Sequence, residues 1–264
     1  MAQQFDPEMH RQMGVEADVV LRVGMLLMGA GTSGYRVLRG MKRSARALGF
    51  DHLDATVGLT QITCTFHRGE YFRTVIARQH SPAVDASRIE ALEDLTHNRL
   101  YAGITAQELA AMLDTIEHNV KKRWGGLTLS FAAAIACAAF AYLNFFPLEA
   151  VGLVALAAFA GQFVRYTVLH RHVHQIGGVI AGGATASIVF FLLTEFFVAI
   201  GSVEPSELSS GFVAAVLFLI PGFPLFSALI DIARFDLDAG IVRLGYAFTV
   251  IFTAAFTVSM VSWL

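Results

Sequence analysis

The sequence predicts an α-helical membrane protein, with a small α+β cytoplasmic domain followed by five transmembrane helices. Its 264 residues are 55% hydrophobic and have a mean hydropathy of +0.58, which is too apolar for a soluble enzyme. The charges are unevenly distributed, since residues 1–120 hold 12 of the 19 Lys and Arg and 14 of the 21 Asp and Glu. Long apolar runs with short polar segments between them make up the rest. We therefore predict a cytoplasmic domain over 1–122 and a transmembrane domain over 123–264.

Two helices are expected at the start of the first domain. Apolar residues recur at helical spacing over 12–28, and a Gly-Ala-Gly segment then ends that helix. Thr32 or Ser33 can cap a second helix over 34–48, which Gly49 closes. The polar face of this second helix suits a solvated surface, which is the commonest use, or else lipid headgroups or an anionic ligand. Its basic residues are Arg36, Arg39, Lys42, Arg43 and Arg46.

A β-hairpin and two further helices complete the first domain. Alternation of Thr, Val and Ile with other residues predicts two strands on either side of a turn containing Arg-Gly-Glu. Ser87 with Glu90, and Thr105 with Glu108, have the spacing of capping boxes, which start helices. The expected elements are a strand at 55–66, a turn at 67–70, a strand at 71–77, and helices at about 88–100 and 106–122.

No catalytic, metal or cofactor signature is evident. The histidines of the first domain are scattered without metal-ligand spacing. His170 and His174 share one helix face, but a hydrated helix end explains them better than a metal site, because no third ligand is near in sequence. A net charge of −2 gives no reason to expect nucleic-acid binding. We expect a protein that is not an enzyme and needs no cofactor or metal.

Five apolar runs in the second domain are long enough to cross a bilayer. They lie at about 127–146, 148–168, 177–200, 211–232 and 244–263. With five crossings, all seven basic residues from Lys121 onward fall on one side, and the opposite loops carry Glu149, Glu204 and Glu207 without Lys or Arg. The positive-inside rule therefore places the first domain in the cytoplasm. Small residues in the second and third runs favour close helix packing.

Two prolines interrupt the fourth run near its middle. Pro221 and Pro224 lack a backbone N–H, so in a helix they would leave the carbonyls of Leu217 and Ile220 unpaired. Gly222 between them allows the chain to change direction. Unpaired carbonyls at this depth are tolerated only against protein or a water-lined cavity. We predict a broken helix that lines a binding site, and a proline-kinked helix without a ligand is the alternative.

Polar groups around this break are the candidate substrate-binding residues. With Pro224 as first residue of an inner half-helix, Ser227 and the amides near it could hold a carboxylate. Asp231 is a candidate proton or substrate-amine partner and Arg165 a candidate counter-charge, because ionisable groups inside membrane spans are functional candidates by default. Hydration at a nearby interface is the simpler explanation for both. The predicted site comprises Pro221, Gly222, Pro224, Ser227, Asp231 and Arg165.

Two stretches resemble the threonine/serine exporter family. One is LIPGFPLFSALIDIARFDLDAGIVRLG at 219–245, and the other is GMLLMGAGTSGYRVLRGMKRSARALGFD at 24–51. The resemblance covers nearly the whole chain and implies a cytoplasmic domain plus five spans, the N-terminal half of a transporter. Fused members of the family carry a second membrane half. This chain is similar to the split form, whose partner is a separate small membrane protein.

The resemblance implies a subunit of a bacterial inner-membrane exporter of small carboxylates. The substrates would be threonine and serine or a dicarboxylate such as succinate, with the proton gradient as the driving force. The expected partners are the carboxylate substrate, membrane lipid and a second small membrane subunit, within an oligomer. The alternative is a non-transporting membrane scaffold or a ligand-sensing regulator of a partner membrane protein.

Overall fold

The protein forms two compact units. The computed structural model describes residues 7–79, 84–121, 123–171, 173–201 and 211–263. The N-terminal unit is drawn from Met1–Arg123 and Phe223–Gly245, and the membrane unit from Trp124–Gly222 and Tyr246–Leu264. The N-terminal unit thus includes a short stretch from the second half of the sequence. Glu204 and Glu207, on which the predicted orientation partly depends, lie outside the described residues.

In the N-terminal unit, helices pack against a three-stranded antiparallel sheet with the strand order β1-β2-β3. Its elements are α1 Pro7–Gly29, α2 Gly34–Ala47, β1 His52–Val57, β2 Gln61–Arg68, β3 Tyr71–Arg78, α3 Ala86–Asp94, a π-helical turn Leu95–Arg99 and α4 Ala106–Asn119. One hydrophobic core joins the helices to the sheet. It includes Val20, Leu27, Met41, Phe66, Leu92 and Leu109.

The predicted hairpin is present, but the prediction of one strand over 55–66 is wrong. Two strands, β1 and β2, occupy this region, and a tight turn joins them. In that turn the N–H of Gly58 donates to the carbonyl of Gln61 at 2.8 Å. Only one turn-favouring residue interrupts a stretch rich in strand formers, which is why the turn was missed. The second turn lies where expected, with Gly69 at a φ of 57°.

The helix starts of the N-terminal unit match the prediction at α4 and differ at α3. Thr105 and Glu108 form the predicted capping box, in which the Thr105 N–H donates to the Glu108 carboxylate at 2.9 Å. This hydrogen bond holds the pKa of Glu108 below its usual value. At α3 the cap is Asp85, whose carboxylate accepts from the Arg88 N–H at 3.1 Å, and not the predicted Ser87.

Four long apolar helices coincide with four of the five predicted spans. They are α5 Gly126–Leu143, α6 Leu148–His170, α7 Gln175–Ala199 and α10 Leu237–Ser262, and each is long and apolar enough to cross a membrane. The remaining predicted span, 211–232, is divided among α8 Gly211–Ala215, a 3₁₀ turn Leu217–Leu219 and α9 Gly222–Ala233. Within the membrane unit, α6 packs against α5 and α7.

Small residues bring α6 and α7 close together, as the sequence predicts. A methyl group added at Gly161 would lie 2.6 Å from the carbonyl oxygen of Gly182 and 2.7 Å from the Cβ atom of Ala186. A backbone oxygen inside a helix cannot rotate away from such a clash. The two helices can therefore approach this closely only because position 161 carries no side chain.

We expect Gly161→Ala to destabilise the α6–α7 pair by about 1–3 kcal/mol, as overpacking does in well-packed interiors. Gly152→Ala is the matched control, because it lies on the same helix and no atom is within 4 Å of an added methyl group. The measurement is the thermal melting midpoint of each purified variant in detergent. Equal midpoints for the two variants would contradict the close approach of α6 and α7.

Candidate functional site

The predicted interruption of the helix is present, and it begins before the first proline. After α8 and the 3₁₀ turn, Ile220 adopts extended angles, with φ at −60° and ψ at 125°. Pro221 follows, and α9 begins at Gly222. Because Pro221 has no N–H to donate to the preceding turn, the first helix cannot continue through it.

Two of the carbonyls at the break accept hydrogen bonds from the chain itself. The carbonyl of Leu217 accepts from the Ile220 N–H at 3.1 Å, and that of Ile220 accepts from the Gly222 N–H at 2.8 Å. The prediction that both would be left unpaired is therefore wrong, because tight turns replace the missing helical bonds. The carbonyl of Phe218 instead accepts from Nη1 of Arg165 on α6 at 3.3 Å.

Arg165 carries the positive charge at this site, and not all of its hydrogen-bond donors have an acceptor. Its Nε is buried without a hydrogen-bond acceptor, and it has no carboxylate partner within the described part of the chain. Tyr246 of α10 lies within electrostatic range of the guanidinium. An arginine placed inside a membrane span without an anion is costly. Such a cation has the chemistry to bind a carboxylate through a planar pair of N–H groups.

Besides Oγ1 of Thr194, two more buried polar atoms of the membrane unit lack partners among the described residues. They are Oε1 of Gln162, one turn before Arg165 on α6, and Oγ of Ser187 on α7. Gln162 follows Gly161 in the sequence and Ser187 follows Ala186, and Gly161 and Ala186 are in close contact. Sequence reasoning missed both, although a polar residue inside an apolar run was a usable signal. Buried polar groups without partners are uncommon in folded proteins and call for a specific explanation.

A second polar cluster is organised around Asp231 in the N-terminal unit. The residue is fully buried, and its Oδ2 accepts from Nη1 of Arg243 at 2.8 Å and from the N–H of Gly34 at 3.2 Å. Oδ1 accepts from the N–H of Tyr35 at 3.3 Å. Asp231 therefore caps α2 from a distant part of the chain. Ser33, a predicted cap, makes no capping hydrogen bond with its side chain.

Arg243 completes this second cluster. It is 4% exposed, and it also donates to the carbonyl oxygens of Thr32 at 3.2 Å and of Gly58 at 3.5 Å. Beside it, the guanidinium of Arg234 lies over the ring of Tyr35, 3.7 Å from its centre. The sequence analysis used Arg243 only as a loop charge that sets orientation. Asp231 and Arg243 therefore fasten α9 and the first turns of α10 to the start of α2.

The six predicted site residues divide between the two units. Arg165, Pro221 and Gly222 lie in the membrane unit, whereas Pro224, Ser227 and Asp231 lie in the N-terminal unit. Ser227 is 4% exposed, one turn before Asp231 on α9.

The start of α9 differs from the prediction, which put Pro224 first. Because α9 begins two residues earlier, the amides of Leu225, Phe226 and Ser227 lie beyond the free first amides of the helix. Helical hydrogen bonds therefore take the amides that were expected to hold a carboxylate.

Comparison with known proteins places the chain in a family. A family model described as "Putative threonine/serine exporter" matches residues 18–264. The chain is 23% identical over 229 residues to "Probable succinate transporter subunit YjjP" of Escherichia coli (strain K12), an alignment that covers 84% of each protein. A protein of the same name from Klebsiella aerogenes is 22% identical over 204 residues, which cover 76% of this chain and 75% of the relative. No solved structure matches. Because the family model spans nearly the whole sequence, the chain belongs to the threonine/serine exporter family.

Proposed function

We propose that this protein is one subunit of an inner-membrane exporter of small carboxylates, either threonine and serine or a dicarboxylate such as succinate. The family and the names of the two relatives support this proposal, and both of those names include the word subunit. A second small membrane protein would supply the other half of the exporter. The proton gradient would drive efflux, the N-terminal domain would lie in the cytoplasm, and residues 211–232 would form the fourth of five crossings, which is broken.

The observation that carries the proposal is Arg165 at the break. One of its nitrogen atoms holds the carbonyl of Phe218, while Nε has no acceptor among the described residues. Transporters bind small charged metabolites at such interrupted helices, where backbone groups and buried charges meet. A substrate carboxylate would complete the hydrogen bonding of the guanidinium, and Pro221 with Gly222 would keep the backbone unwound beside it.

Asp231 is the proposed proton or substrate-amine partner, and Ser227 and Pro224 lie on the same helix. Protonation of Asp231 would weaken the ion pair with Arg243 and the hydrogen bonds to the amides of α2. A proton would then change how α9 is held within the N-terminal unit. Protonation of Asp231 would then be the step at which the proton gradient acts on the protein.

Efflux from preloaded cells tests the proposal. Cells of the native host are loaded with radiolabelled succinate or threonine, and the chain is either present or deleted. We expect the chain to accelerate efflux of at least one of the two compounds, and an uncoupler to remove the difference. Unchanged efflux of both compounds in the deletion strain would instead favour the scaffold or regulator alternative.

A further inference from the structure

A groove in the N-terminal unit combines a basic helix face with an unusual turn. Its volume is about 390 Å³, and it lies where α2 faces the π-helical turn Leu95–Arg99. The polar residues that line it are Arg43, Arg46, Thr96, His97 and Tyr101. Single π-helical turns are rare and occur frequently at functional sites. The groove is separate in sequence from every residue of the proposed transport site.

The basic residues of α2 fall into two groups by their partners. Arg39 donates to the carboxylate of Glu93 at 2.9 Å, and Arg36 lies 3.8 Å from the same group. Glu93 also lies 3.1 Å from Nε2 of His97, so this one carboxylate already interacts with three side chains. Neither Arg43 nor Arg46 has an acidic partner within the described ranges, which run from residue 7 to residue 263 with four gaps.

Arg43, which lines the groove, has a donor without an acceptor. Its Nη1 is buried and makes no hydrogen bond within the described part of the protein. A buried charged donor without an acceptor is unfavourable, because it has lost its hydration and gained nothing in return. Arg46 lies three residues further along the same helix face, so the two positive charges also repel each other.

We propose that this groove binds a small oxyanion, through a phosphate or carboxylate group. Such an anion would supply the missing acceptor to Arg43 and relieve its repulsion with Arg46. The planar guanidinium matches both groups, since each offers two oxygen atoms to parallel N–H donors. The site goes beyond the export proposal and does not depend on it, because the observations that carry it involve α2 and the π-helical turn alone.

Binding to the intact protein tests the proposal. The full chain is placed in phosphatidylcholine nanodiscs, and inorganic phosphate or succinate is titrated in at constant ionic strength by calorimetry. We expect one of these probes to bind the wild type, and Arg46→Gln to weaken that affinity about tenfold or more, as loss of a charged hydrogen-bond donor does. Because Arg46 is exposed, its replacement should leave the fold intact. Arg43→Gln should have the same effect.

Arg99→Gln is the matched control. Arg99 is exposed on the same π-helical turn but does not line the groove, so the change removes an equal charge and should leave the affinity unchanged. Equal losses in Arg46→Gln and Arg99→Gln, or no binding of either probe to the wild type, would overturn the proposal.

Anionic nanodiscs distinguish the two sources of the oxyanion. Phosphatidylglycerol replaces phosphatidylcholine, and the titration of the wild type is repeated. An unchanged affinity for the probe supports a soluble anion as the ligand. If the probe binds in phosphatidylcholine discs but not in phosphatidylglycerol discs, the oxyanion groove is still supported. Its ligand is then the phosphate of a lipid headgroup.

Discussion

Asp231→Ala should lower the free energy of unfolding of the N-terminal unit by about 3–5 kcal/mol, the cost of breaking a buried ion pair from one side. The side chains of Asp231 and Arg243 are 0% and 5% exposed, so water cannot replace the lost partner. The change also removes the acceptor for the amides of Gly34 and Tyr35.

Two readouts separate this effect from a general loss of stability. The melting midpoint of the purified chain should fall, and hydrogen exchange at the amides of Gly34 and Tyr35 should accelerate first. Asp238→Ala is the matched control, because Asp238 is an exposed carboxylate in the first turn of α10. If Asp231→Ala costs no more than this control, the capping role of Asp231 is excluded.

A double variant tests whether the unpaired cation causes the loss. Asp231→Ala combined with Arg243→Met should recover part of the melting midpoint, since apolar residues often replace a buried ion pair without net cost. The cap would remain lost, so about 1 kcal/mol should not return. A double variant that is less stable than Asp231→Ala alone would show that Arg243 contributes mainly through Thr32 and Gly58.

Sequence periodicity predicted the helices well because each is recognisable from its own residues. Four apolar spans, the interruption at Pro221 and the capping box at Thr105 all depend on neighbours within a few positions. The turn at Gly58 was not predicted, because this single glycine lies between residues that favour strands on both sides. Most element positions could therefore be predicted from local sequence patterns.

Interactions between distant residues could not be predicted in the same way. The amide of Gly34 and the carboxylate of Asp231 are 197 positions apart, and nothing in either segment specifies the other. Sequence reasoning therefore placed the cap of α2 on the nearest hydroxyl groups. Similarly, Arg165 was recognisable as a charge inside a span, but its bond to the Phe218 carbonyl depends on how α6 packs beside the break.

Arg165→Gln should reduce substrate efflux about thirtyfold or more, the effect of removing a charged hydrogen-bond donor from a buried binding site. The change removes the positive charge that a carboxylate requires, together with the Nη1 donor that the Phe218 carbonyl accepts from. Arg165→Lys should retain part of the activity, because a lysine provides the charge without the planar fork. Efflux from preloaded cells is the measurement, and Arg171→Gln, at an exposed helix end, is the control.

Stability distinguishes a binding role of Arg165 from a structural one. If its main task were to hold the broken backbone together through Phe218, Arg165→Gln should lower the melting midpoint along with efflux. We expect the opposite combination, because removing a partly buried cation that lacks an anion relieves a desolvation cost. The melting midpoint of Arg165→Gln should therefore equal or exceed that of the wild type while efflux is lost. A stable variant that still exports at the wild-type rate would remove Arg165 from the transport site.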